Sequence, residues 1–395
     1  MSNNNLKMIN FDDTKVAFAD KSNFDLKRMY FLFFTMNNPV IAKIGIWLTV
    51  FALKIHLPIK WMIKKTIFAQ FCGGESLSDS KGTVEKLAAS NIHTILDYSV
   101  EGEESEKVFD YNRDEIIRSL EMAATSQHIP TGVMKLTGFT AFDLLEKKQQ
   151  GDELTNDESD RYVAFLERVD QICAKAVEVK KYLFIDAEET WIQDVIDEVV
   201  YTMMEKYNKE TVYIFNTYQM YRTASLQNLK DAHQLGLDKG FKIGAKLVRG
   251  AYMEKERERA NDKGYQDPIQ PNKEASDRDY DEAVTFCIEN INEVYLCAGT
   301  HNENSCRKTA ELMEHHGIAK ADTKVYFAQL YGMSDNLSYT LANEGYNVAK
   351  YVPYGPVAKV LPYLMRRAEE NTSIAGQSSR EFTLVKNEMA RRKIA

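Results

Sequence analysis

From about residue 90 onward, short apolar or β-branched runs alternate with longer stretches whose apolar residues recur at helical spacing. The runs lie at 92–100, 132–139, 182–187, 211–217, 241–250, 293–299, 323–330 and 346–352, eight in all. Between them fall segments such as WIQDVIDEVVYTMMEKYN and NSCRKTAELMEHHG, several closed by Gly or Asn, residues suited to helix C-termini. Strands that alternate with helices form a parallel sheet covered by helices. Eight such units predict an α/β fold, a distorted (βα)8 TIM-type barrel, preceded by a helical segment. An open doubly wound sheet is the competitor, and the absence of GxGxxG after any run weakens it. The stretch 141–180 is longer and more charged than one crossover helix requires, and reads as an elaborated connection. The expected boundaries are 1–85 for the N-terminal helical segment, 86–375 for the barrel and 376–395 for a C-terminal helix.

The first segment has its own pattern. MYFLFF and IGIWLTVFAL are apolar, but the uncharged run between Lys43 and Lys54 is ten residues, about half of what a spanning helix needs. With the lysines of KWMIKK behind it, this reads as helices packed on the main domain and, compatibly, as an amphipathic surface in peripheral contact with a membrane. The start, MSNNNLKMINFDD, lacks a charged lead followed by an apolar core, so no secretory signal is expected.

Composition changes this picture little. The chain is 44% hydrophobic and 27% charged with a net charge of −8, and no basic stripe marks a nucleic-acid binder. Five scattered cysteines suit a reducing compartment rather than a disulfide framework. Seven histidines show no HExxH or related spacing, so no metal is expected. A cytoplasmic location is the expectation from these features.

Barrel strands are apolar on both faces, so ionisable residues at their C-terminal ends, where barrel active sites lie, are informative. Those ends carry Asp97 with Tyr98, Lys135, Asp186 with Glu188, Asn216, Lys246 with Arg249, and Thr300 with His301. Lys135 and Lys246 alone also fit a Schiff-base aldolase. After the eighth run, a helix predicted from 357 places Val357, Leu361, Leu364, Met365 and Ala368 on one stripe at about 100° per residue. Tyr363, Arg366, Arg367 and Glu370 fall opposite. These form either a solvated face with an Arg366–Glu370 pair or a bidentate grip on a carboxylate.

KLVRGAY (246–252), GTHNENS (299–305), FAQLYGMSDN (327–336) and YVPYGPVAKVLPYLMRRAEEN (351–371) decide between them. Together they resemble the proline dehydrogenase family, closer to its monofunctional mitochondrial-type branch than to the bifunctional bacterial fusion. The likeness runs from about residue 68 to 372. It implies FAD bound on a distorted barrel, oxidation of L-proline to Δ1-pyrroline-5-carboxylate, and electrons leaving to a membrane quinone, with the protein peripheral at the inner face of a membrane, the mitochondrial inner membrane in a eukaryote. By the resemblance, Arg366, Arg367 and Lys135 hold the proline carboxylate, and Tyr354, Tyr363 and Leu330 wall the ring. Asp186 braces the cations, Glu370 orients the arginines, and Tyr252 lies at the flavin or the proline. Asn216, Gln219, Lys246, Val248, Arg249, Gly250 and Ala251 would meet the flavin, with Thr300, His301 and Asn302 toward its phosphate and adenine side. Two positions depart from relatives, which often carry Arg at 246 and Gln at 216. Hydroxyproline is the alternative substrate, disfavoured by the bulk of Tyr354.

Overall fold

A computed structural model describes residues 9–55, 57–98, 104–373 and 377–394, and the side chains of 39, 46, 50, 51, 53, 54, 368–373 and 377–379 lie outside that description. Eight parallel strands follow one another around a closed barrel in chain order. They are β1 (Ile92–Tyr98), β2 (Thr131–Met134), β3 (Tyr182–Ile185), β4 (Ile214–Gln219), β5 (Ile243–Val248), β6 (Val294–Gly299), β7 (Val325–Leu330) and β8 (Val348–Tyr354). Every predicted run overlaps one, although β2 begins one residue before its run and β4 and β8 each continue two residues past theirs. The main correction is the second run, which leaves the sheet at Lys135 and tightens into a 3-10 turn, Leu136–Gly138, instead of extending to residue 139. The last two residues of the first run and the 375/376 boundary fall outside the described residues. The 141–180 connection holds two helices, Phe142–Gln150 and Asn156–Glu178. Thr155 starts the second through a reciprocal capping box with Glu158, satisfying donors that a helix start leaves open.

The chain divides into two compact units, one running from Thr94 to Tyr98 and on to Ala328, the other gathering the residues up to His93 and from Gln329 onward. In the first, register matches Thr217 with Lys246, Lys246 with Cys297 and Cys297 with Tyr326. The residues two positions earlier on β3 and β4, Phe184 and Phe215, also pair, with ring centroids 5.0 Å apart at 63°. Tyr182 meets Phe215 at 5.2 Å and Tyr326 at 6.1 Å. Side chains two apart share one strand face, so these rings form an apolar floor beneath Asp186 and Lys246.

In the second unit the helix Asn23–Met36 buries Leu26, Met29, Phe33 and Met36 in a cluster with Phe68, Phe71, Val360, Leu364 and Leu384. Ser22 and Asp25 cap that helix reciprocally. The segment 70–74 is held close to the chain around 332 and 353. Gly73 N–H donates to the Pro353 carbonyl at 2.8 Å, and a Cβ on Gly332, at φ +78°, would meet the Gln70 carbonyl oxygen at 2.0 Å. Only glycine fits there.

Candidate active site

In the first unit, the strand ends bring several predicted residues together. Asp186, one residue past β3, accepts from Lys246 Nζ at 2.5 Å, and that ammonium also lies 5.9 Å from the Phe184 ring centre. Lys246 is buried, whereas Lys135 is exposed, and among the described residues the Lys135 ammonium forms no ion pair. Its charge is nonetheless favoured by its surroundings. The Tyr252 hydroxyl raises its pKa, burial opposes, and Asp97, Asp186 and Glu188 add to the rise. Tyr252 answers in kind. Lys135 pulls its hydroxyl down, but burial and the carboxylates of Glu188, Glu189 and Asp186 leave it pushed up to about 12. Lys135, Asp186, Tyr252 and Lys246 therefore form one electrostatic group.

In sequence Glu188 is one more strand-end carboxylate, and its position shows more. It is buried and accepts from Thr137 N–H at 3.0 Å and from Thr137 Oγ1 at 2.5 Å. It thereby holds the 3-10 turn that directly follows Lys135. Burial, weighed against the Thr137 hydroxyl and Lys135, raises its pKa to about 7. Gln219 Nε2 donates to the Glu188 carbonyl at 2.7 Å, joining the end of β4 to the loop after β3.

Asn216 goes elsewhere. Its Nδ2 donates to Asp197 at 2.8 Å, and its Oδ1 accepts from Thr217 N–H at 2.9 Å. Asp197 belongs to the helix Thr190–Tyr207, so Asn216 faces a covering helix while Thr217 shares the register of Lys246. The two-residue strand period, counted from Lys246, carries that signal.

Arg249 closes the end of β5. Its guanidinium donates to Asp277 at 2.6 Å, Thr300 Oγ1 at 2.7 Å and Ser305 Oγ at 3.0 Å, and lies 4.4 Å from the Tyr280 ring centre. Asn302 caps the helix Glu303–His315, accepting from Asn304 and Ser305 N–H groups. A cation beside the start of a helix suits an anionic phosphate. Gly250, at φ +130°, leaves no room for a side chain because a Cβ would sit 2.4 Å from the Tyr221 ring. Gly250 and Ala251 are exposed, while Val248 and His301 are half-buried. This set fits FAD: Arg249, Thr300, His301 and Asn302 match a pyrophosphate side, and Lys246 with Gln219 match a polar ring edge.

In the second unit, the helix Val357–Ser373 departs from the predicted stripe. Val357, Val360, Tyr363, Leu364 and Arg367 are buried, while Leu361, Met365 and Arg366 are half-buried. The buried face is turned toward Val360, a residue the predicted stripe left out, and it carries Tyr363 and Arg367 with it. Arg367 is 8% exposed, with its guanidinium carbon 5.1 Å from the Tyr363 ring centre. Tyr363 packs in the unit's apolar cluster, where Leu330 is a partly buried neighbour. A guanidinium held on an aromatic face is pre-oriented for bidentate binding. The Glu370 side chain lies outside the described residues.

Tyr354 is 1% exposed. By strand period it shares a face with Val352 and with Lys350, whose ammonium is turned to Asp335 at 2.9 Å. Tyr351 occupies the opposite face and is a second buried aromatic residue of this strand.

A family model described as proline dehydrogenase matches residues 80–380. Mitochondrial proline dehydrogenase 1 of Dictyostelium discoideum is 32% identical over 86% of this chain and 67% of its own length. Its counterpart from Caenorhabditis elegans is 40% identical over 60% of this chain. The chain spans 40% of the length of the Caenorhabditis elegans and Homo sapiens relatives. Among solved structures, proline utilization A from Bdellovibrio bacteriovorus, inactivated by N-propargylglycine, superposes with a TM-score of 0.72 at 18% identity. It covers 93% of this chain and 39% of that one, a likeness of fold.

Proposed function

The chain belongs to the proline dehydrogenase family, and we propose that it oxidises L-proline to Δ1-pyrroline-5-carboxylate, with FAD bound and electrons passed on to a membrane quinone. The observation that carries this reading is Lys135, an accessible ammonium without an ion-pair partner among the described residues, set above an aromatic floor at the C-terminal end of the strands. FAD, when bound, would supply the two-electron acceptor.

The protein's part is position and charge. Lys135, Arg366 and Arg367 bind the substrate carboxylate, the only strong handle that proline offers. Tyr363 and Leu330, with Tyr354 or Tyr351, wall the ring carbons and exclude water. Asp186 keeps Lys246 in place, and Tyr252 closes the group beside Lys135. A cationic surround disfavours added positive charge on the amine, so proline is held with its nitrogen neutral. No separate general base is then required. Glu370 orients the arginines. The flavin is held by Lys246, Gln219, Val248, Arg249, Gly250, Ala251, Thr300, His301 and Asn302, with Asn216 contributing through the strand. The segment 1–85 is the membrane-associated helical segment, 86–375 the catalytic barrel and 376–395 a C-terminal helix.

The test is one visible spectrum. Purified protein should be yellow and should bleach when L-proline is added without air. A colourless protein that retains no flavin after incubation with FAD and gel filtration, or a yellow one that proline leaves unchanged, rejects the reading. Trapping by borohydride with substrate would instead favour the Schiff-base alternative.

A further inference from the structure

Seventeen large apolar side chains are exposed among the described residues, and twelve of them lie between Phe24 and Met62. That concentration is not scattered surface decoration. In the helix Pro39–Lys54, Val40, Ile44, Trp47 and Leu48 are 65%, 53%, 62% and 51% exposed. Their spacing of four, seven and eight places them on one stripe, turned away from the protein. Trp61 follows at 65% exposure, with Lys65 Nζ 5.8 Å from its ring centre.

Charge identifies what this face meets. From Leu26 to Gly74 there are seven Lys or Arg residues and no Asp or Glu, in a chain whose net charge is −8. Pairing this face with a second copy of itself would bring like charges together. An anionic bilayer complements both its features: apolar residues enter the headgroup boundary, tryptophans sit at the interface, and lysines meet the lipid phosphates. The geometry favours lying on the membrane over crossing it. No single helix among the described residues is long and apolar enough to span, and 23–36 and 40–49 meet at a bend of 102°. The first of these helices is tied to the unit's core by Leu26, Met29 and Phe33.

We infer that residues 24–65 form an interfacial platform for anionic phospholipid, with Trp47 and Trp61 inserted and Lys43, Lys60 and Lys65 at the headgroups. The inference deepens the membrane-contact part of the proposed function and rests on that reading for its purpose. The platform packs on the helix Val357–Ser373, which bears Arg366 and Arg367. Docking would thus set the substrate-clamp helix directly behind the membrane-bound face.

The experiment is flotation of the purified full chain with vesicles of phosphatidylcholine alone or mixed with phosphatidylglycerol. The chain should float with the mixed vesicles and be released by high salt. Trp47→Ser with Trp61→Ser should lower partitioning roughly tenfold or more. Lys43→Gln, Lys60→Gln and Lys65→Gln together should lower it on the order of a hundredfold. Unaltered circular dichroism of both variants would separate these effects from misfolding. The inference is overturned if the chain ignores mixed vesicles or if both variants float like the parent. It is equally overturned if the exposed face proves to hold a dimer that the tryptophan variant dissolves. Dye-linked proline oxidation, which needs no bilayer, is read in parallel. Flotation without oxidation supports the platform and rejects the proposed function, whereas oxidation without flotation does the reverse.

Discussion

Two lysines at barrel strands, Lys135 after β2 and Lys350 within β8, have opposite electrical surroundings. Lys350 is 0% exposed and its three N–H groups are used within the protein. They go to the carbonyls of Met333 and, at 3.4 Å, Leu330, and to Asp335 at 2.9 Å. Asp335 also pairs with Lys21 at 3.0 Å, so one carboxylate serves two cations. Burial lowers the Lys350 pKa against the pull of Asp335, while burial is outweighed at Asp335 by the two lysines, leaving it at about 2. The Lys135 side chain is exposed, and Tyr252 and nearby carboxylates raise its pKa by more than burial lowers it. The difference teaches that a buried lysine with every donor satisfied is architecture, while an accessible one held charged at a distance is ready for an anionic ligand.

The largest expected effect would break that contrast. Lys350→Met should destabilise the protein by about 3–5 kcal/mol, since it leaves Asp335 undercompensated in the interior. Denaturant titration measures this, and protein that folds at low temperature should keep its affinity for proline. A raised proline KM at unchanged stability would place Lys350 in the site instead.

Next in size is the clamp. Arg367→Met should weaken proline binding by about 2–4 kcal/mol, read as a raised KM with flavin absorbance retained. Arg366→Met should do the same to a smaller degree because Arg366 is only half-buried. Normal proline kinetics in both variants would remove the clamp.

A pH experiment compares the units more finely. Glu381 is buried, accepts from Ser334 N–H and, through burial and then the negative charge of Asp335, has its pKa raised from the ordinary 4.5 to about 7. Glu188 in the other unit is raised to about 7. A carboxyl raised on folding contributes most below its unfolded pKa, and its contribution is lost as pH climbs through the folded value. Stability should therefore fall between pH 4.5 and 7, by up to about 3 kcal/mol for each group. Glu381→Gln and Glu188→Gln should each flatten that slope, as thermal unfolding across pH would record. Unchanged slopes would place the dependence on other groups.

The smallest effect sharpens the strand-face assignment. Tyr351→Ser should shift preference toward hydroxyproline by roughly tenfold, whereas Tyr354→Ser should mainly lower stability because Tyr354 is buried beside the Lys350 face. The reverse pattern of kcat/KM ratios would return Tyr354 to the wall.

Much of this was legible in the sequence. All eight strands were marked by apolar runs, because a parallel strand covered on both faces must be apolar. Lys135, Asp186 and Lys246 stood out as charges in such runs, and the structure brings them together. For Asn216 and Tyr354 a motif gives position along the chain but not the side of the strand, which the structure supplies. The helix after β8 misled for a related reason. Tyr363 and Arg367 count as polar in the pattern, yet each has enough apolar or planar surface to be buried on the same helix face as Val360.

What the sequence by itself determined is the alternation of strand and helix, the family, the residues rich in charge at strand ends, and a long basic, apolar stretch before the barrel. Local periodicity and composition suffice for these, since each is set by neighbours in the chain. The tertiary structure decided which face each side chain takes, which carboxylate answers which lysine, and that Glu188 and Glu381 are buried acids holding turns. Those depend on contacts between residues distant in sequence, such as Thr137 with Glu188 and Ser334 with Glu381, and burial and mutual charge arise only when the folded chain brings them within reach.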